Sequence, residues 1–241
     1  MSKIMIKSAF TIGLLFMLLA SPVASANVNK SVKIDAGSES DGASSVNGSV
    51  TIGDRAVVTG AVSTVNGKVR IGDDARVEDA STVNGGLKMG DNATARSLET
   101  VNGSISVGEG GSITGEVTAV NGKISLEQGT VVATNVGNVN GDIQIEGAEV
   151  GGNITTTNGD VRLEDGAVVK GDILIEKPSF WSFGDSKNDE PKIIIGPGSV
   201  VEGKIIVERE VELFISETAQ VGGVEGEMSM DDAVRFSGNR P

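Results

Sequence analysis

The sequence predicts an all-β fold of one kind, a single-stranded parallel β-helix (a β-solenoid) with 18–19 residues per coil. The first observation is that the dipeptide Asn-Gly recurs at spacings of 18 or 19 residues. The second is that apolar residues follow each Asn-Gly two and four positions after the glycine, a period typical of a strand with one buried face. A fixed period of this length indicates repeats that bury their apolar positions against their neighbours. The repeating asparagines are Asn47, Asn66, Asn84, Asn102, Asn121, Asn140 and Asn158.

Each repeat contains three apolar segments separated by polar corners. The first is the pair after Asn-Gly, for example Val50 and Ile52. We expect the three segments to align into three buried columns when the coils stack, with Gly and Asn at the corners because they tolerate tight turns. The second segment is represented by Val57, Val77, Ile113, Val131, Val150 and Val168. The third is represented by Val62, Val117, Val136, Ile154 and Ile173.

An antiparallel meander or sandwich is the alternative fold, because Asn-Gly between apolar runs is a strong hairpin signal. The two arms of such a hairpin are unequal here. Ser49–Ile52 has four residues, whereas Ala56–Val65 has ten and contains its own glycine, Gly60. The unequal arms favour the parallel solenoid.

The first 26 residues have the pattern of a secretory signal peptide. Lys3 and Lys7 precede an apolar run from Ala9 to Ala20, and Ala24-Ser25-Ala26 matches the small-x-small cleavage rule. We expect cleavage after Ala26 and a mature protein in the periplasm or outside the cell, without a transmembrane segment. An uncleaved N-terminal anchor is the alternative.

The remaining chain divides by how regular the repeat is. Regularity is highest between residues 46 and 176 and is interrupted by a segment with a proline near each end, Pro178 and Pro191. The expected parts are an N-terminal cap coil (27–45), the solenoid (46–176), an aromatic loop insertion (177–192), C-terminal coils (193–220) and a polar cap or tail (221–241).

Composition excludes several classes of function. The chain has no Cys and no His, so thiolate metal sites, disulfides and imidazole bases are excluded. It has 33 acidic and 20 basic residues, a net charge of −13 and 3% aromatic residues. Such a chain repels a phosphate backbone and lacks rings for base stacking, which excludes nucleic-acid binding. We expect no enzyme activity, no cofactor and no metal.

Two segments resemble a known family. Gly166-Ala167-Val168-Val169-Lys170-Gly171-Asp172-Ile173 and Gly198-Ser199-Val200-Val201-Glu202-Gly203-Lys204-Ile205 are similar to the repeats of bactofilins, the polymer-forming bacterial cytoskeletal proteins. The recurring Val-Asn-Gly also resembles the putative-adhesin β-solenoids of bacterial envelopes. The resemblance implies a right-handed β-helix and end-to-end self-association. Bactofilins are cytosolic, so the export signal favours an envelope scaffold or adhesin instead.

The Asn-Gly column has a structural interpretation and a functional one. In the first, the asparagine side chains satisfy backbone groups at left-handed corners. In the second, the valines face inwards, so that threonines and asparagines form two outward polar columns on a flat face suited to water, ice or polysaccharide. Ala119 and Asn138 interrupt the threonine column. The threonines are Thr64, Thr82, Thr100 and Thr156.

Acidic corners form a second candidate, represented by Asp54, Asp73, Asp91, Glu109 and Glu127. We expect a solvated face that keeps the solenoid soluble. Calcium binding and paired carboxylates for glycoside hydrolysis are the alternatives.

The insertion is the strongest candidate for a partner contact. It holds Phe180, Trp181 and Phe183 in a chain with seven aromatic residues. These rings pack on the solenoid flank or contact a partner. We therefore expect an exported, non-catalytic structural or adhesive envelope protein, with a polysaccharide-binding or, less favoured, polysaccharide-cleaving β-helix as the alternative.

Overall fold

The computed structural model describes residues 28–178 and 190–241. These residues form a parallel β-solenoid of about ten stacked coils, in which three strands per coil build three parallel sheets. One short 3-10 helix, Met230–Asp232, lies near the end of the described chain. The parallel pairing confirms the predicted fold class and contradicts the meander, whose neighbouring strands would be antiparallel.

The first sheet follows the Asn-Gly corner and has eleven strands in the described residues. Its apolar ends point inwards and its middle residue outwards, as in Val69–Ile71, because side chains alternate along a strand. The strands are Val32–Ile34, Val50–Ile52, Val69–Ile71, Leu87–Met89, Ile105–Val107, Ile124–Leu126, Ile143–Glu146, Val161–Glu164, Lys192–Ile195, Glu212–Ser216 and Val234–Phe236.

The second sheet has ten strands in the described residues, each of two residues. Their shortness reflects the corner that precedes them, where the chain turns within four residues. The strands are Glu39–Ser40, Val57–Val58, Arg76–Val77, Thr94–Ala95, Ser112–Ile113, Val131–Val132, Glu149–Val150, Val168–Val169, Val200–Val201 and Gln220–Val221.

The third sheet also has ten strands in the described residues, and most of them run into the asparagine of the next corner. The strands are Ala43–Ser45, Val62–Asn66, Asp79–Asn84, Ser97–Asn102, Val117–Asn121, Val136–Asn140, Ile154–Asn158, Ile173–Ile175, Ile205–Val207 and Val224–Gly226.

The register matches the sequence period. Val50 pairs with Val69 nineteen residues later, and Leu87 pairs with Ile105 eighteen residues later. The inward side chains form one continuous apolar core in which residues such as Ile124 are fully buried. Stacking therefore supplies the burial that a single coil lacks.

The predicted inward positions of the second sheet are wrong in three coils. Val57, Val131 and Val168 point outwards, and the next residue in each coil, for example Val132, is buried instead. The reason is the small residue before each strand. Ala56 is fully buried, so alternation turns the following valine outwards.

The two ends of the stack differ. At the N-terminal end, Val32–Ile34 forms the outer strand of the first sheet, and within the described residues its outer edge is unpaired. At the other end, Met228, Met230 and Ala233 are partly buried against the core. Residues 28–45 and 221–241, expected as caps, thus contribute strands to the same three sheets. In the described part of the chain, no helix is long and apolar enough to cross a membrane.

Candidate functional site

The predicted Asn-Gly column is a continuous chain of side-chain hydrogen bonds. The Nδ2 of Asn66 donates to Oδ1 of Asn47 at 2.8 Å, and the same bond repeats up to Asn158, which donates to Asn140 at 3.0 Å. The side chains therefore satisfy one another, rather than the backbone of their own corner as predicted. We call these residues, with Asn29, the asparagine ladder; the bonds between the other rungs measure 2.8–3.0 Å.

The ladder begins one coil earlier than the Asn-Gly motif. Asn47 donates to Oδ1 of Asn29 at 2.8 Å. Asn29 is followed by Lys30, so a search for Asn-Gly misses it; the preceding Val28 is the signal that finds it. All amides point the same way, with donors towards the N-terminal end, so their dipoles reinforce one another along the stack.

Arg209 terminates the ladder. Its guanidinium donates to Oδ1 of Asn158 at 3.0 Å and to the carbonyl oxygen of Thr157 at 3.4 Å. The register explains this reach, because Ile175 pairs with Val207, which places Arg209 on the ladder column two coils after Asn158. The cation lies at the oxygen end of the aligned amides, where a positive charge is favourable. No sequence motif indicated this contact.

The threonine column is buried, which contradicts the predicted flat polar face. In Val62–Asn66 the first and third residues point inwards, so Thr64 is only 2% exposed while Val65 is half-buried and Asn66 is exposed. The Thr64 hydroxyl donates to the carbonyl of Gly48 at 2.7 Å. Thr82 and Thr100 repeat this contact. Thr64 rather than Val65 faces inwards because side chains alternate from the buried Val62. In the described residues the hydroxyl of Thr156 is also buried, but it has no hydrogen-bond partner.

The two interruptions of the threonine column have different consequences. Asn138 is 1% exposed and its Nδ2 donates to the carbonyls of Gly122 at 2.6 Å and Gly141 at 2.8 Å, so it replaces the hydroxyl. Ala119 is buried and cannot donate. The column therefore braces the corner internally and presents nothing to a ligand.

Glycine is required at these corners by close packing. A Cβ on Gly85 would clash with the carbonyl oxygen of Gly67 in the coil before it. The non-glycine left-handed residues lie instead at the corner between the first and second sheets, where Arg55, Asp74 and Asn92 have φ of 53–57°. At the Asn-Gly corners the glycines Gly122 and Gly141 have positive φ, 147° and 135°, so the predicted positive-φ glycines are found at some of these corners.

The acidic corners also form a ladder. Oδ1 of Asp54 accepts the backbone N–H of Asp73 at 3.2 Å, and Oδ1 of Asp73 accepts that of Asp91 at 3.0 Å. Oδ1 of Asp91 accepts the N–H of Glu109 at 3.0 Å. These carboxylates thus hold successive coils together, a role that the sequence did not reveal. Among the described residues, no three Asp or Glu side chains group closely enough to hold a metal ion.

One carboxyl on the outer face of the third sheet has an unusual environment. Burial raises the pKa of Glu99, and the neighbouring charges of Glu116 and Asp79 raise it further, whereas Arg96 opposes them. Asp79 is held by Arg96 and by the Ser97 hydroxyl at 2.6 Å. Glycoside hydrolysis uses a carboxyl with a raised pKa together with a second carboxylate, and Glu99 has the first of these properties.

The outer face of the first sheet changes character along the stack. In the N-terminal coils its outward residues are polar, for example Arg70 and Lys88. In the last three coils they are Ile194, Phe214 and Val234, which are aligned by register. We call these three residues the apolar stripe; a cleft of about 250 Å³ beside it is also lined by Arg162, Glu164, Lys192, Arg240 and Pro241.

The insertion leaves the stack next to this stripe, at the Asn-Gly corner of its coil. Its aromatic residues Phe180, Trp181 and Phe183 lie outside the described residues. The chain returns in register, because the backbone N–H of Lys192 donates to Oδ1 of Asp160 at 2.8 Å. At its base, burial raises the pKa of Glu176, and the charge of Glu208 raises it further.

Comparison of this chain with protein-family models, with curated proteins and with solved structures finds no match.

Proposed function

We propose that this chain is an exported, non-catalytic structural or adhesive β-solenoid of the bacterial cell envelope, and that two copies associate through their N-terminal edges. The observation that carries the proposal is the difference between the two ends of the stack. The export part rests on the signal pattern of residues 1–26.

The N-terminal edge has the chemistry of an interface. The N–H of Val32 donates to Ser49, and the carbonyl of Ile34 accepts from Gly53, so the backbone groups of Lys33 between them point away from the second coil. Val32 and Ile34 are only partly buried. An unpaired strand edge with apolar neighbours is a template for pairing with another chain.

At the C-terminal end Met228 and Met230 pack against the core, although the outer strand there, Val234–Phe236, also has an unpaired edge in the described residues. Because the core is covered by these methionines only at the C-terminal end, we favour association of two N-terminal edges in a closed two-fold dimer, which uses the same surface on both copies. The asparagine ladder joins the coils from Asn29 to Asn158 and supports a rigid, rod-like role.

Light scattering on the protein purified from its native cell compartment tests the association. Lys33→Pro removes a backbone donor that points to the open edge and leaves the bonds of Val32 and Ile34 intact. We expect dimers for the natural protein and monomers for this variant. Lys88→Ala, on the same sheet in the middle of the stack, is the control and should remain dimeric. A natural protein that is monomeric at high concentration contradicts the association.

Mass spectrometry of the same material tests export. The proposal expects Asn27 as the first residue of the mature chain, since Ala24-Ser25-Ala26 precedes it. An intact Met1 in the membrane fraction contradicts cleavage.

A second candidate, polysaccharide binding or cleavage, is favoured by the environment of Glu99. The test is a glycan array followed by a reducing-sugar assay with Glu99→Gln. Release of sugar that Glu99→Gln abolishes supports cleavage, and binding that the variant retains supports binding alone. Absence of both leaves the structural role.

A further inference from the structure

Asn-Gly is the dipeptide in which an asparagine most readily reacts with its own backbone. The amide nitrogen of the glycine attacks the Cγ of the asparagine, and the absence of a glycine side chain removes the steric obstacle. The attack needs a glycine N–H that is free of other bonds and a backbone that can bend. The stack presents this dipeptide seven times in nearly identical surroundings.

Four of the seven are held by the coil that follows. The N–H of Gly85 donates to the carbonyl of Asn102 at 2.9 Å, and the N–H of Gly103 donates to that of Asn121 at 2.8 Å. Gly122 and Gly141 make the same bond at 2.9 and 2.8 Å. Attack at these corners requires the coil to open first, and opening in the middle of a stack breaks bonds on both sides.

The last Asn-Gly differs because the next coil leaves the column. After Ile173–Ile175 the chain enters the insertion, so within residues 28–178 and 190–241 no asparagine carbonyl of a following coil accepts from Gly159. Within the described residues, the N–H of Gly159 has no hydrogen-bond partner. As far as the described part of the chain is concerned, the nucleophile is therefore available in the folded protein.

Arg209 supplies the second difference. Its guanidinium donates to Oδ1 of Asn158 at 3.0 Å, the atom on which negative charge develops when the Cγ is attacked. A fixed cation at a developing oxyanion lowers the barrier of acyl transfer. Among the residues that the structure describes, the glycine N–H groups after Asn47 and Asn66 also lack a hydrogen bond, but the Oδ1 atoms of these asparagines accept from neutral amides, at 2.8 and 2.9 Å.

We propose that Asn158-Gly159 is a site of spontaneous deamidation that Arg209 promotes. The Gly159 nitrogen bonds to Cγ of Asn158 and loses its proton, while the Cγ–Nδ2 bond breaks and Nδ2 leaves as ammonia with a proton from solvent. Water then opens the succinimide at either carbonyl. The products are aspartate, or isoaspartate with the main chain passing through the former side chain.

The product changes the contacts at the base of the insertion. The carboxylate at position 158 forms an ion pair with Arg209, whereas the asparagine accepts a hydrogen bond from Arg209 on a neutral amide oxygen. It also loses the hydrogen that Asn158 donates to Oδ1 of Asn140. The reaction therefore strengthens the link from position 158 to Arg209 and breaks the ladder below it.

Peptide mapping with separation of isoaspartate isomers, on folded protein incubated at pH 7.4, tests the proposal. We expect the Asn158 peptide to deamidate at least about tenfold faster than the Asn121 peptide, the factor expected when one hydrogen bond must first open. The same protein unfolded in urea is the reference, because there the seven sites should differ little. Equal rates at Asn158 and Asn121 in the folded protein overturn the proposal.

Arg209→Gln separates the role of the cation from that of the free N–H. The variant should deamidate at Asn158 more slowly, at the rate of Asn47 and Asn66, while those two corners remain unchanged. Circular dichroism of the variant checks that it is folded. Faster deamidation in Arg209→Gln shows that the guanidinium protects Asn158 and overturns its promoting role.

Discussion

The hydroxyl of Thr64 donates a 2.7 Å hydrogen bond to the carbonyl oxygen of Gly48, in the corner of the preceding coil. The contact joins the inside of one strand to the corner beneath it. Above the same corner, the asparagine ladder joins the exposed side chains. The Asn-Gly corners at Gly48, Gly67 and Gly85 are thus held from the inside and from the outside.

Removing an internal hydroxyl should destabilise the stack. In Thr82→Val the carbonyl of Gly67 loses its donor, which lies at 3.0 Å in a partly buried position. The expected loss in the free energy of unfolding is about 1–3 kcal/mol, measured by denaturant titration. Ser81→Val, on the outward side of the same strand, should change it by less than about 0.5 kcal/mol. Equal losses contradict the inward placement of the threonines.

A charged side chain placed in the apolar core should lower the free energy of unfolding far more than one placed on the outer face of the same strand. Ile124 is fully buried, whereas the outward Ser125 is half-buried. Ile124→Asp leaves an uncompensated charge in the core and should cost about 3–5 kcal/mol. Ser125→Asp should cost less than about 1 kcal/mol. Thermal unfolding of both variants measures the difference, and an early transition in Ile124→Asp would reflect local loss of coils.

An interior residue of the asparagine ladder should contribute more to the free energy of unfolding than the first residue of the ladder. Asn102→Ala removes the bond to Asn84 and the bond from Asn121. Because these bonds are exposed to water, the expected loss is about 1 kcal/mol. Asn29→Ala removes one bond in the described chain, the one from Asn47, and should cost less. If denaturant titrations find both variants as stable as the natural protein, the ladder does not contribute to the free energy of unfolding.

The ionisation of Glu176 should lower the free energy of unfolding at neutral pH, and this loss should disappear at acidic pH. Burial and the charge of Glu208 raise its pKa in the folded state, so ionisation is less favourable there than in the unfolded chain. The resulting destabilisation is present above the raised pKa and disappears as the pH falls below the unfolded value, about 4.3. Glu176→Gln should therefore be more stable than the natural protein at pH 7 and equal to it near pH 4.

Glu208→Gln is the matched variant for this pair. It removes the like charge and should also stabilise at pH 7, and the double variant should gain less than the sum of the two. Denaturant titrations at both pH values measure this coupling. Additive gains would show that burial alone, without Glu208, raises the pKa.

The coil length and the columns of the first and third sheets were predictable from the sequence. Val50, Val62 and Ile124 are buried as predicted, because alternation along a strand and the repeat period are local properties. Which residues of the short segments point inwards was less predictable. In the second sheet Val57 points outwards because Ala56 before it is buried, and at the Asn-Gly corner Thr64 faces inwards because it follows Val62 by two residues.

The sequence by itself determined the coil length and favoured the parallel stack, since seven copies of one motif at spacings of 18 or 19 residues can bury their apolar residues by lying on one another. The tertiary structure alone decided what the corners do. Thr64 meets Gly48, sixteen residues away, and Arg209 meets Asn158, 51 residues away across the insertion. These partners are set by the register of stacked coils, and a single sequence does not state which polar groups the register brings into hydrogen-bond distance.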